Sequence, residues 1–124
     1  MDDKKIYTIE EIKEKTLPIF TKYNISEITI FGSYARGEAN ENSDIDFLVV
    51  YPKGFTLFNS ISLEEELKEV LNKEIDIVSK NVYTRDMNAE VSDYAILAKK
   101  VFFNTITKEG KMIYGLWNNL WNSY

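Results

Sequence analysis

The chain has 124 residues, 44% of them hydrophobic and 14% aromatic, which suits one packed domain and excludes a disordered tail. Twenty acidic against fifteen basic residues leave a net charge of −5, which argues against a general binder of phosphate backbones, because those need clustered Lys and Arg. Cysteine and histidine are absent, so disulfides, thiolate or imidazole metal sites and Ser-His-Asp chemistry are excluded, leaving carboxylates, hydroxyls, Lys, Arg or a bound metal to do any catalysis.

Thr8-x-x-Glu11 has capping-box spacing and opens a helix with apolar positions Ile9, Ile12, Leu17 and Phe20. Pro18 is expected to kink that helix or split it in two. Ile28–Phe31 reads as a short buried strand stopped by Gly32-Ser33, and Ile45–Tyr51 as a second strand closed by Pro52 and Gly54. The connection between them is long enough to hold a helical turn. Ser62-x-x-Glu65 is a second capping-box pattern, expected to open a helix carrying Leu63, Leu67, Val70 and Leu71 and ending near Asn72. Glu74–Val78 reads as a third strand. Helical spacing of Val91, Tyr94, Ala98, Val101 and Thr105 predicts a helix over 86–106, stopped by Gly110, with Lys111–Tyr114 as a short edge strand. Trp117, Leu120, Trp121 and Tyr124 form an aromatic tail. The expected architecture is an α/β (α+β) two-layer domain, a small mixed sheet with helices packed on it. No repeat or linker divides the chain, so 1–124 is taken as one domain, with a core at about 9–114 and the tail at 115–124. No apolar run approaches a membrane span, and the charged Met1–Lys5 lacks a signal-peptide core, so a cytoplasmic protein is expected.

Three features carry chemistry. Gly32-Ser33 follows a strand directly, so the backbone can turn sharply and, if Ser33 opens a helix, present N–H groups to a phosphate. The alternative is an ordinary turn. Asp44 and Asp46 alternate with Ile45 and Phe47, so both project from one strand face, about 6–7 Å apart. Such a pair can ligate one or two Mg²⁺, or can simply cap a turn and face solvent. Asp76 lies between Ile75 and Ile77 of the third strand. If that strand neighbours the second, three carboxylates share a face and repel one another unless a divalent cation sits among them. The alternative is a polar residue on a solvated face.

The stretch Phe31–Val50, with ten residues between Ser33 and Asp44, resembles the Gly-Ser…Asp-x-Asp signature of the minimal nucleotidyltransferases of the DNA polymerase beta superfamily. The similarity continues through Pro52-Lys53-Gly54, the Asp76 strand and Lys108-Glu109-Gly110. The resemblance implies that Asp44 and Asp46 hold the metals and the triphosphate, and that Asp76 serves the metal that activates an acceptor hydroxyl. It also implies that Gly32 and Ser33 contact the β/γ-phosphates, with ATP as substrate and Mg²⁺, or Mn²⁺, as cofactor. Arg36 and Ser43 match the family pattern as well. Arg36 reads either as a phosphate contact or as an ion pair bracing the loop, and Ser43 as a nucleotide-site residue or a loop brace. Stand-alone domains of this size resemble the antitoxins of HEPN–MNT toxin–antitoxin pairs, which implies adenylylation of a tyrosine on a HEPN-type toxin. A homo- or hetero-oligomer, with no direct nucleic-acid or membrane contact, goes with that picture. The competing expectations are an aminoglycoside-type small-molecule nucleotidyltransferase, for which the acidic surface would suit a cationic acceptor, and a non-catalytic binding antitoxin.

Overall fold

A computed structural model describes residues 5–80, 100–102, 104–106 and 108–115. The element order is α1 (Ile9–Lys22), β1 (Glu27–Phe31), α2 (Ser33–Arg36), β2 (Ile45–Val50), α3 (Leu57–Leu71), β3 (Ile75–Ser79) and β4 (Lys111–Tyr114). The described residues between 100 and 109 are helical. Of the helix expected over 86–106, residues 86–99 lie outside the described residues, as do residues 116–124 of the aromatic tail.

Thr8 and Glu11 close the expected capping box on α1: the Glu11 amide donates to Thr8 Oγ1 at 3.0 Å and the Thr8 amide to Glu11 Oε1 at 2.9 Å. Pro18 does not split this helix, which runs on to Lys22. The bond that Pro18 cannot make would have gone to the carbonyl of Glu14, and both residues are exposed, so water can satisfy the orphaned acceptor. The start of α3 also departs from expectation. Thr56, not Ser62, caps it, in a reciprocal box with Asn59 at 3.1 and 3.0 Å, and Ser62 lies inside the helix. The buried stripe is Leu63, Leu67 and Leu71, while Val70 faces outward. In the 100–109 segment, Ile106 is the buried position and Thr105 is exposed.

The four strands form one mixed sheet in the order β3-β2-β1-β4. Antiparallel pairing joins β1 to β2 and to β4, whereas β2 and β3 run parallel, with α3 as the long crossover that a parallel pair requires. One face carries Ile28, Ile30, Ile45, Phe47, Val49 and Ile75, all buried against Ile12 and Phe20 of α1 and the leucines of α3. Phe20 meets Phe47 edge-on, with ring centroids 5.2 Å apart. Burying an apolar side chain of this size stabilises the fold by roughly 1.5–3 kcal/mol, so this face supplies the bulk of the driving force. Because strand side chains alternate, Asp46 and Asp76 belong to the opposite face. Among the described residues, no helix is long and apolar enough to cross a membrane.

Candidate active site

The β1–α2 turn is built around Gly32, whose φ of 74° and ψ of −151° lie where only glycine is unstrained. The residue before it, Phe31, pairs in register with Asp46 of β2, so the turn arrives beside that carboxylate. A Cβ added to Gly32 would run into Asp46 Oδ2 and lie 3.2 Å from its Cγ. Glycine is therefore needed here twice, for the backbone conformation and for the space that Asp46 occupies. Ser33 opens α2, whose first turn has no side-chain cap, and Gly37 ends it in the left-handed region at φ 73°.

Asp46 and Asp76 are register partners across the parallel β2–β3 pair, on strands that lie about 4.8 Å apart. Asp44 stands two residues before Asp46, just ahead of β2, and is exposed, as is Asp76; Asp46 is half-buried. Burial, then the charges of Asp76 and Asp44, push the Asp46 carboxyl up to about 6, against a smaller downward pull from Arg36. Among the described residues, no three carboxylates stand close enough, as their side chains lie, to enclose a cation. The donor set nevertheless suits a hard divalent ion: it is all oxygen, it shares one face, and its innermost member is destabilised by charge that a cation would neutralise.

The other two candidates are tied into the surrounding loop. Arg36 pairs with Glu38 at 3.0 Å and with Glu109 at 3.5 Å, linking α2 to the segment that leads into β4. Ser43 Oγ accepts from the Asn40 amide at 2.9 Å, and the Ser43 amide donates to the Asn40 carbonyl, closing the turn that delivers Asp44. Two features carried no sequence signal: the contact of Gly32 with Asp46, which depends on the β1–β2 register, and the burial of Lys73 close to Asp44. A lysine between Asn72 and Glu74 reads as a solvated loop residue.

Residues 8–108 match the family model for a nucleotidyltransferase domain. The chain belongs to that family. It is an enzyme of the minimal nucleotidyltransferase type, with the mixed sheet and packed helices of that fold. It is 48% identical over 73 residues to a candidate protein adenylyltransferase of Methanocaldococcus jannaschii, covering 59% of this chain and 78% of that one. It is 42% identical over 79 residues to the protein adenylyltransferase MntA of Thermococcus cleftensis, covering 60% and 79%. Solved structures share its fold. A toxin–antitoxin complex with AMP-PNP superposes with a TM-score of 0.63 at 21% identity, over 86% of this chain and 76% of that one. A tri-AMPylated HEPN toxin of Shewanella oneidensis with its MNT antitoxin gives 0.58 at 18%, over 89% and 75%.

The raised carboxyl of this nucleotidyltransferase has a consequence for stability. Asp46 binds its proton more tightly folded, at about 6, than at the ordinary value of 3.8, so the stability it contributes is full below about 4 and is lost as pH rises through 6. In EDTA, the thermal midpoint of the wild type minus that of Asp46→Asn should therefore fall between pH 4.5 and pH 7.5. Glu11 and Glu66, whose carboxyls are held low by Lys5 and Lys22 respectively, act in the opposite direction but equally in both proteins. A difference that is flat with pH would mean that neither burial nor the neighbouring carboxylates raise the Asp46 carboxyl.

Proposed function

We propose that this nucleotidyltransferase moves AMP from ATP, with Mg²⁺, onto a tyrosine hydroxyl of a HEPN-type partner toxin and so acts as its antitoxin. The observation that carries the transfer chemistry is the registration of Asp46 with Asp76 on one sheet face, with Asp44 two residues away and Gly32 against Asp46. The acceptor rests on the relatives named protein adenylyltransferases and on the fold shared with an AMPylated HEPN–MNT complex.

In this reading Asp44, Asp46 and Asp76 hold the metal, with Mn²⁺ as a workable substitute. When bound, it supplies charge stabilisation for the attacking and leaving oxygens of an in-line displacement. The chain's own groups do the rest. The N–H groups of the uncapped α2 turn, with the Ser33 hydroxyl, hold the β/γ-phosphates. Asp76, exposed at the edge of the carboxylate group, takes the proton of the acceptor hydroxyl as its oxygen bonds to the α-phosphorus and pyrophosphate leaves. Arg36 and Ser43 brace the turn and the loop that present these groups. The enzyme works in the cytoplasm, on a nucleotide and a protein, without nucleic acid or membrane.

Labelling with [α-³²P]ATP tests this. In Mg²⁺ the label should pass to a HEPN-type partner toxin, with the AMP located on tyrosine by mass spectrometry, and EDTA should abolish it. Label on aminoglycosides instead would replace the acceptor. Toxin neutralisation undiminished in Asp44→Ala/Asp46→Ala would point to a binding antitoxin.

A further inference from the structure

Lys73 is the buried lysine among the described residues, only 8% exposed. It follows the α3 C-cap Asn72, which turns left-handed at φ 53° and ends the helix against the Lys68 carbonyl. Its Nζ donates to the backbone carbonyl of Glu41 at 2.6 Å, across 32 residues of sequence. Among the described residues, no carboxylate lies within ion-pair distance of it, and nearby Glu74 is paired with Lys68 instead. The side chain is folded in to reach this carbonyl, so the contact is unlike the exposed ion pairs elsewhere on the surface.

Glu41 sits in the connection from α2 to β2, which is mostly exposed and held by the Asn40–Ser43 turn. Three residues further on is Asp44. A cleft of about 340 Å³ is lined by Glu41, Ser43 and Asp44 of the connection together with Lys68, Lys73 and Glu74. Just after Asp44, the Ile45 amide donates to the Glu74 carbonyl at 3.1 Å. Asp44 is therefore fixed on its β2 side by the sheet and on its loop side by Lys73.

We propose that Lys73 is a positioning residue for Asp44: its ammonium pins the Glu41 carbonyl and thereby sets the exposed Asp44 carboxylate beside Asp46. In this proposal Lys73 acts through the loop that carries Asp44 and not by a contact of its own with nucleotide or acceptor. The proposal rests on the reading of Asp44 as a ligand of the metal–nucleotide complex.

The test is Mg–ATP binding by calorimetry for the wild type, Lys73→Met, Lys73→Arg, Asp44→Asn and Lys73→Met/Asp44→Asn. Lys73→Met should weaken Mg–ATP binding about tenfold, the scale of one charge-assisted hydrogen bond, and Lys73→Arg should recover most of it. In the Asp44→Asn background, Lys73→Met should add no further loss, because the two residues act through one contact chain. Unchanged affinity in Lys73→Met, or the same extra loss in both backgrounds, overturns the proposal, since a lysine that only stabilises the fold would act independently of Asp44. If Lys73→Met does not fold, Lys73→Gln, one bond shorter and uncharged, takes its place; if neither folds, Lys73 is structural and the proposal falls. Asp44→Asn binding Mg–ATP like the wild type would instead overturn the metal-site reading itself.

Discussion

Replacing Gly32 with alanine should cut nucleotidyl transfer at least about 100-fold, the scale of an ångström-sized misplacement of a catalytic group, while the fold survives at a measurable cost. Two effects combine. At φ 74°, ψ −151° an alanine is strained by about 1–3 kcal/mol, which should lower the thermal midpoint. The new methyl group also needs the space held by Asp46 Oδ2, so the carboxylate must swing away or the turn must shift. Either movement separates the Gly32–Ser33 turn from the carboxylates. Most of the hydrophobic core is on the other face of the sheet, and only Tyr34 and Ala35 of α2 connect the turn to it, so the fold persists. Transfer rate and melting temperature, measured together, check this. A Gly32→Ala protein with wild-type transfer would mean that neither the turn nor the position of Asp46 matters to the reaction.

Local periodicity made much of this site legible. Period-two alternation alone puts Asp44 and Asp46 on one side and Ile45, Phe47 and Val49 on the other, and the core follows that division. The relation of Asp76 to Asp46 was conditional on β3 lying beside β2, because a parallel pairing has no local sequence mark; it is created by α3 carrying the chain back. The start of α3 was misplaced for a different reason. Ser62-x-x-Glu65 fits the usual capping pattern better than Thr56-x-x-Asn59, and Leu57, Phe58 and Ile61 are exposed apolar residues that belong to no buried stripe. Pattern favoured the wrong serine, and only the hydrogen bonds of Thr56 decide between the two. Pro18 does not split α1: its penalty is real, but the lost bond falls on the wet side of the helix. Lys73 was illegible because its burial follows from the left-handed turn at Asn72 and from a loop 32 residues earlier.

The most direct measurement of the three-carboxylate account is ATP titration by calorimetry beside label transfer, for wild type, Asp76→Asn and Asp44→Asn/Asp46→Asn. Asp76→Asn keeps the size of the side chain and one oxygen able to meet a metal, but removes the charge and the base. Interactions made mainly in the transition state are expressed in kcat rather than in ground-state affinity. Asp76 is exposed at the edge of the group, whereas Asp46 is packed against the Gly32 turn, so the two should divide the work between acceptor and nucleotide. The expected result is that Asp76→Asn binds Mg–ATP nearly as the wild type does but loses at least about 100-fold in transfer, the scale of a lost general base. The Asp44→Asn/Asp46→Asn protein should lose both binding and transfer. Wild-type transfer by Asp76→Asn would make Asp76 an ordinary solvent-face strand residue and contradict the account.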